Sequence, residues 1–319
     1  MSQKSNHNQK TKFLVYARLP KAGLGNMLLV WSRAVLFAHI NRFPVVSPDW
    51  GKFVIGPYLR GERDKRYYGH LFSKKIYVSK FNYYLAILKK DTYIHNNPVI
   101  SPIELSNLES QQSDFYLFIF NQLPHWSDFF VDLKTHQPII KERLLASIRP
   151  SVLEAISNRS APQIGIHIRM GDFRVLKSED DFSKLGGVRT PFSWFIKVID
   201  AIREIAGYDV PVTIFSDGHD HELSQLLTLS QVSRSSTASA LSDMLTLSKS
   251  KLLITSSGST FSYWASYLGK CPTISHPAHF HASVFSPDIT QSVFEGGFDP
   301  DCMQAPDLLV RNIKSVFEH

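Results

Sequence analysis

The chain has 319 residues, 43% of them hydrophobic and 20% charged, which excludes a disordered tail, a collagen-like repeat and a small disulfide-stapled module. At about 150 residues per domain this length predicts two domains, each able to form a core without metal or disulfide staples. Thirty-five basic against 28 acidic residues give a net charge of +7, which favours anionic partners such as nucleotides.

Met1 to Lys12 is polar, with three lysines and no apolar run of the kind a signal peptide needs, and is expected to be a disordered lead-in. Phe13 to Ala17 suits a buried strand and leads into Lys21-Ala22-Gly23-Leu24-Gly25-Asn26, a glycine turn. Beyond it Leu28, Trp31, Val35 and Ala38 recur at helical spacing. The apolar tract Met27 to Ile40 is interrupted by Arg33 and His39, so no membrane span is expected. Phe43 to Ser47 supplies a second strand, and the opening reads as a βαβ unit of a parallel sheet.

Between Asp49 and Leu105 the periodicity is too weak to place elements. Phe115 to Phe120 is another apolar run, and Ile139 to Ile148 is helical and stops near Pro150. The expected division is an α/β domain over 13–150 and a second over 151–319. In the second, Ile164 to Arg169 is a strand, Phe192 to Ile205 a helix, and Val212 to Phe215 a strand ended by Ser216-Asp217-Gly218. Leu241 to Ser248 is a helix, Leu252 to Thr255 a strand, Phe261 to Leu268 a helix, and Ser233 to Ser239 a mobile loop. Cys271 and Cys302 form no CxxC pair, which fits a reducing compartment, the cytoplasm.

Strand alternation puts Ile164, Ile166 and Ile168 on one face and Gly165, His167 and Arg169 on the other. An arginine at the carboxyl end of a strand can hold a phosphate through two parallel hydrogen bonds. It can equally close a turn by pairing with Asp172, with His167 a satisfied core histidine. Ser256-Ser257-Gly258-Ser259 before a helix can form an anion site, or simply an N-cap at Ser259 or Thr260 with Phe261 and Trp264 in the core. Gly23 to Asn26 lacks the third glycine and acidic partner of a dinucleotide fingerprint. Asp217-Gly218-His219-Asp220-His221 reads as Asp220 capping a helix rather than as a metal site. Asp299-Pro300-Asp301 matches the acidic pair of metal-dependent sugar transferases, but with no strand visible before it the match is set aside as coincidence.

Gly165-Ile166-His167-Ile168-Arg169-Met170-Gly171-Asp172 resembles the first motif of the α1,2/α1,6/O-fucosyltransferase superfamily, His-x-Arg-Arg-x-Asp after a strand, and most of all its bacterial α1,2-fucosyltransferase branch. Three further stretches fall in the same order. Gly23-Leu24-Gly25-Asn26 resembles the amino-terminal glycine loop, and Phe215-Ser216-Asp217 the mid-domain strand end. Ser257-Gly258-Ser259-Thr260-Phe261-Ser262-Tyr263-Trp264 is similar to Ser-Asn-Ser-Ser-Phe-Ser-Trp-Trp. Met170 stands in place of the second motif arginine, Met27 in place of the glutamine after the loop asparagine, and Gly258 and Tyr263 in place of Asn and Trp.

The resemblance implies a GT-B-like α/β fold, with two Rossmann-like domains facing across a cleft, the first on the acceptor side and the second binding a GDP-sugar. It implies inverting transfer of fucose from GDP-fucose to a glycan hydroxyl without a catalytic metal or other cofactor. His167 and Arg169 would hold the diphosphate, Gly25, Asn26 and Asp217 would add to the donor site, and Ser259, Thr260, Phe261 and Ser262 would line it. Asp243 would accept from the guanine edge, unless it lies on a solvated helix face. The general base would be Asp172, Glu179, Asp180 or Asp181, with Asp172 alternatively bracing the loop. The acceptor would be a glycan such as an O-antigen or capsule intermediate, bringing peripheral contact with the inner membrane from the cytoplasmic side. The rivals are a GDP-sugar transferase with another donor sugar and a catalytically silent nucleotide-sugar or glycan-binding module. Scattered basic residues argue against nucleic acid.

Overall fold

A computed structural model describes residues 13–51, 55–59, 61–62, 64–89, 91–104, 113, 115–177, 181–236, 239–280 and 282–318. The lead-in Met1 to Lys12 lies outside the described residues. The chain clusters into two compact units, Met1–Lys52 with Tyr67–Arg149, and Phe53–Arg66 with Pro150–His319.

In the first unit β1 (Phe13–Ala17), β2 (Val45–Val46), β3 (Thr92–Asn96) and β4 (Phe115–Phe120) form a sheet of order β2-β1-β4-β3, parallel in every ladder. All six residues of β4 are buried, because apolar groups cover both faces of a central parallel strand. Leu14, Tyr16, Leu117 and Ile119 pack on one face. On the other, Phe37 of the helix Leu24–Asn41 meets the rings of Phe118 and Phe120 at 5.0 and 5.4 Å. That helix begins earlier than the sequence suggests. Gly23 is its N-cap, Met27 N donates to the Gly23 carbonyl at 3.2 Å, and Gly25 and Asn26 therefore stand in its first turn rather than in a glycine loop.

The second unit carries six strands, β5 (Ile164–Ile168), β6 (Val212–Ser216), β7 (Val232–Arg234), β8 (Leu252–Ile254), β9 (Thr273–Ser275) and β10 (Glu295–Gly297). Their order is β10-β9-β8-β5-β6-β7, again all parallel. Counted from β5 this is 3-2-1-4-5-6, the Rossmann arrangement, in which strand order reverses between β5 and β8. Ile164, Ile166 and Ile168 pack with Phe195, Val198, Ile199 and Ile202 of the helix Phe192–Ala206 and with Leu309 and Ile313 of the helix Asp307–Phe317. The opposite face holds Phe215, Leu247, Leu253 and Ala265. Val232–Arg234 is a strand where a mobile loop is expected, and β10 does precede Asp299.

Candidate functional site

The reversal of strand order matters because in open sheets of this order ligands bind outside the carboxyl ends of the two strands that flank it, here β5 and β8. Arg169 is the first residue after β5. Ser256 to Ser259 follow β8 and lead into the helix Thr260–Gly269. The two loops are tied together: Arg169 N donates to Ser256 Oγ at 2.8 Å, and Ser256 Oγ donates to the His167 carbonyl at 2.9 Å. Ser257 N donates to Thr190 Oγ1 at 3.1 Å, while Ser257 Oγ is buried without a hydrogen-bond partner among the described residues.

Ser259 occupies the N-cap in an extended conformation (φ −89°, ψ 111°) but its side chain makes no capping bond. The first intrahelical bond runs from Tyr263 N to the Ser259 carbonyl at 3.2 Å. The amides of Thr260, Phe261 and Ser262 thus belong to the unsatisfied first turn, where the helix dipole is positive. Ser262 is buried and its hydroxyl meets His167 Nδ1 at 2.7 Å, while the His167 ring stacks on Phe261 with centroids 4.5 Å apart. Burial, with the Arg169 charge adding to it, lowers the His167 pKa to about 3. This histidine is therefore neutral at physiological pH.

Arg169 forks between two carboxylates. Nη1 donates to Asp217, whose other oxygen accepts from Met170 N at 2.8 Å, and Nη2 donates to Asp172 at 2.6 Å. Asp172 accepts at 3.0 Å from Arg66, which also donates to buried Glu62 at 2.7 Å. Glu62, Arg66, Asp172, Arg169 and Asp217 thus form an alternating chain of charges within the second unit. Burial alone would raise the Asp172 pKa, but the two guanidiniums prevail and hold it below the usual carboxylate value. Two of the five N–H groups of Arg169 are engaged by these carboxylates, and its side chain remains 19% exposed.

Of the residues expected from the sequence, His167, Arg169, Asp172, Asp217, Ser259, Thr260, Phe261 and Ser262 gather at the carboxyl ends of β5, β6 and β8. Asp243 lies in the first turn of the helix Ala240–Leu247, half-buried, with Ser235 Oγ donating to it at 3.3 Å. Gly25 and Asn26 belong to the first unit. Asp181 is exposed and pulled down to about 2 by hydrogen bonds from Ser183. Glu179 and Asp180 lie outside the described residues. Asp220 does not cap a helix: it pairs with Arg234, and the helix Ser224–Leu227 starts later with Leu223 at its N-cap. Asp301 pairs with Lys197. No group of three or more metal-ligating side chains occurs among the described residues, and no helix there is long and apolar enough to cross a membrane. Sequence reasoning missed Arg66, Glu62 and Thr190, which lie far from the motifs and which only the fold brings near. Ser256 it placed in the candidate anion loop, where the structure shows it instead tying that loop to β5.

A parallel sheet in Rossmann order, with a guanidinium and a helix amino end at its switch point, defines a doubly wound α/β protein. The model of glycosyl transferase family 11 matches residues 72–289. The chain belongs to that family and is a glycosyltransferase, in accord with the resemblance carried by its four motifs. No curated protein sequence matches it. Among solved structures, POFUT1 in complex with GDP is 14% identical, with 84% of this chain and 98% of that chain covered and a TM-score of 0.50. NodZ alpha-1,6-fucosyltransferase co-crystallised with GDP is 16% identical over 83% of this chain and 94% of that one, with a TM-score of 0.48. A mutant of Arabidopsis thaliana FUT1 in complex with GDP is 15% identical over 82% and 70%, at 0.43. The POFUT1 likeness shows a shared fold.

Proposed function

We propose that the protein transfers fucose from GDP-fucose to a glycan hydroxyl, with inversion and without a catalytic metal. The observation that carries this reading is the juxtaposition of Arg169 and the amino end of the helix Thr260–Gly269 at the switch point between β5 and β8. Departure of GDP concentrates negative charge on a phosphate oxygen. A fixed guanidinium and a first turn of unpaired amides stabilise such charge without reorganising. The donor specificity rests on the motif resemblance, and POFUT1, which shares the fold, is solved in complex with GDP.

In this reading Asp172 and Asp217 aim the Arg169 fork and leave its remaining N–H groups for the diphosphate. His167 is uncharged and contributes through Ser262, which it holds at the start of the helix, rather than as a second cation. Asp172, kept ionised by Arg66 and Arg169, is a poor proton acceptor and suits the bracing role better than the general base. Asp243 is assigned to the guanine edge, where one carboxylate accepts from two N–H groups.

A thermal-shift panel of GDP, UDP, CDP, ADP and GDP-fucose tests the donor. A ligand at 100 times its dissociation constant stabilises by about 2.7 kcal/mol. GDP and GDP-fucose alone should raise the melt; an equal shift by UDP, or none by GDP, overturns the assignment.

A further inference from the structure

We propose that the outward face of the helix Lys80–Leu88, in the first unit, docks on an anionic lipid surface. The helix is capped by Ser79, whose hydroxyl accepts from Phe81 N at 3.2 Å. It is anchored from beneath by Ala86, fully buried, and by Tyr83, which packs on the core and accepts from Arg18 at 3.1 Å. Its other face inverts the usual pattern. Phe81, Tyr84, Leu85 and Leu88 stand at the i, i+3, i+4, i+7 spacing of a single helical stripe and are 68, 54, 38 and 82% exposed. Ile87 beside the stripe is 42% exposed, and Ile94 of the neighbouring strand β3 is 45% exposed. Single exposed apolar residues need no explanation, but a contiguous stripe on a rigid helix marks a surface that is covered in use.

Charge selects the cover. Across residues 74–91 the sequence carries Lys74, Lys75, Lys80, Lys89 and Lys90 against the single acid Asp91. Lys74, Lys75 and Lys89 are exposed and flank the helix along the chain, Lys89 with its ammonium 5.3 Å from the Phe115 ring centroid. Lys80 reaches Asp49 at 3.4 Å with its side chain 34% exposed. A short stripe of Phe, Tyr and Leu flanked by lysines is the composition of a segment that lies in the plane of a membrane interface, apolar side chains in the acyl boundary and ammonium groups among acidic headgroups. A second copy of this face would set its lysines against lysines.

The test is flotation of the full chain with vesicles of phosphatidylcholine alone and of phosphatidylcholine with about one third phosphatidylglycerol. The expected result is binding to the anionic vesicles that weakens as salt is raised. Phe81→Ser and Leu88→Ser should each weaken it about tenfold, the effect of withholding one large apolar side chain from burial. Lys74→Glu with Lys75→Glu should abolish the preference for anionic vesicles. All four positions are exposed, so melting temperature should stay at the parental value. Absence of flotation by the parent, equal binding to both vesicles, or a parent dimer that Leu88→Ser dissociates overturns the proposal.

Discussion

Arg169→Lys distinguishes an arginine that stabilises a leaving group from one that only closes an ion-pair network. Arg169 places Nη1 on Asp217 and Nη2 on Asp172, with its side chain 19% exposed. A lysine ammonium keeps the charge but is a single point, so it can serve one carboxylate well and not both. One charge-assisted hydrogen bond contributes about 1.5–3 kcal/mol to stability. The abandoned carboxylate keeps another partner, either Arg66 for Asp172 or Met170 N for Asp217. The expected stability loss is therefore at the low end, about 1–2 kcal/mol, read as a lower urea midpoint with unchanged slope. If Arg169 also receives the charge of departing GDP, turnover falls about 10² to 10³-fold, roughly 3–4 kcal/mol. Turnover of GDP-fucose is measured well below the unfolding transition, with Arg174→Lys as the control. A variant that loses stability but keeps near-parental turnover refutes the catalytic role and leaves Arg169 a structural partner.

Four further outcomes are expected. The His167 pKa is about 3 in the folded chain against an ordinary 6.5, so below pH 6.5 the unfolded chain takes a proton that the folded one refuses. Its contribution to stability is complete above pH 6.5 and declines as pH falls toward 3, and His167→Gln should flatten that decline in urea midpoints; an unchanged slope contradicts the burial argument. At Gly165 an added Cβ would lie 2.1 Å from Ser250 Oγ and 2.8 Å from Leu247 Cδ1, so Gly165→Ala should destabilise by about 1–3 kcal/mol in urea melts, and neutrality would show that the strand can shift. Asp243→Ala should weaken GDP binding in calorimetry while leaving the melt near parental, and equal affinity would remove the guanine assignment. Transfer should persist in excess EDTA; activity that vanishes on chelation and returns with Mn²⁺ would sink the metal-free mechanism.

The strands legible in the sequence are those carried by apolar runs, and most of them are largely buried. β1, β4, β5 and β6 are runs of five or six mainly apolar residues, long enough for composition to speak. β8 is only three residues long but wholly apolar, Leu252-Leu253-Ile254, and so is still legible. β7, β9 and β10 have three residues each with at most one apolar among them, and exist because neighbouring strands offer them partners. The helix Lys80–Leu88 escaped for a different reason: its apolar stripe faces outward, so the pattern that usually reports a core reports a surface. At the site, local motifs identify both loops, since a strand end and a helix start are contiguous in sequence. They cannot reveal Arg66 or Thr190, which arrive 106 residues before Asp172 and 67 before Ser257.

Met170 shows how position governs what a motif residue can do. It stands where the related motif has a second arginine, yet only 3% of it is exposed and it packs in the isoleucine-side core. The floor beneath it is the glycine turn after β6: a Cβ on Gly218 would lie 2.7 Å from Met170 Cγ. A guanidinium at this position would be buried in the apolar cluster to which Met170 belongs, and an unpaired buried charge is strongly destabilising. The backbone of Met170 still serves the site, because its N–H donates to Asp217 and so fixes the carboxylate that aims Arg169. The second guanidinium near the motif comes instead from Arg66, in a segment that clusters with the second unit. Asp172 thus lies between two cations, Arg169 from its own loop and Arg66 from a segment 106 residues earlier.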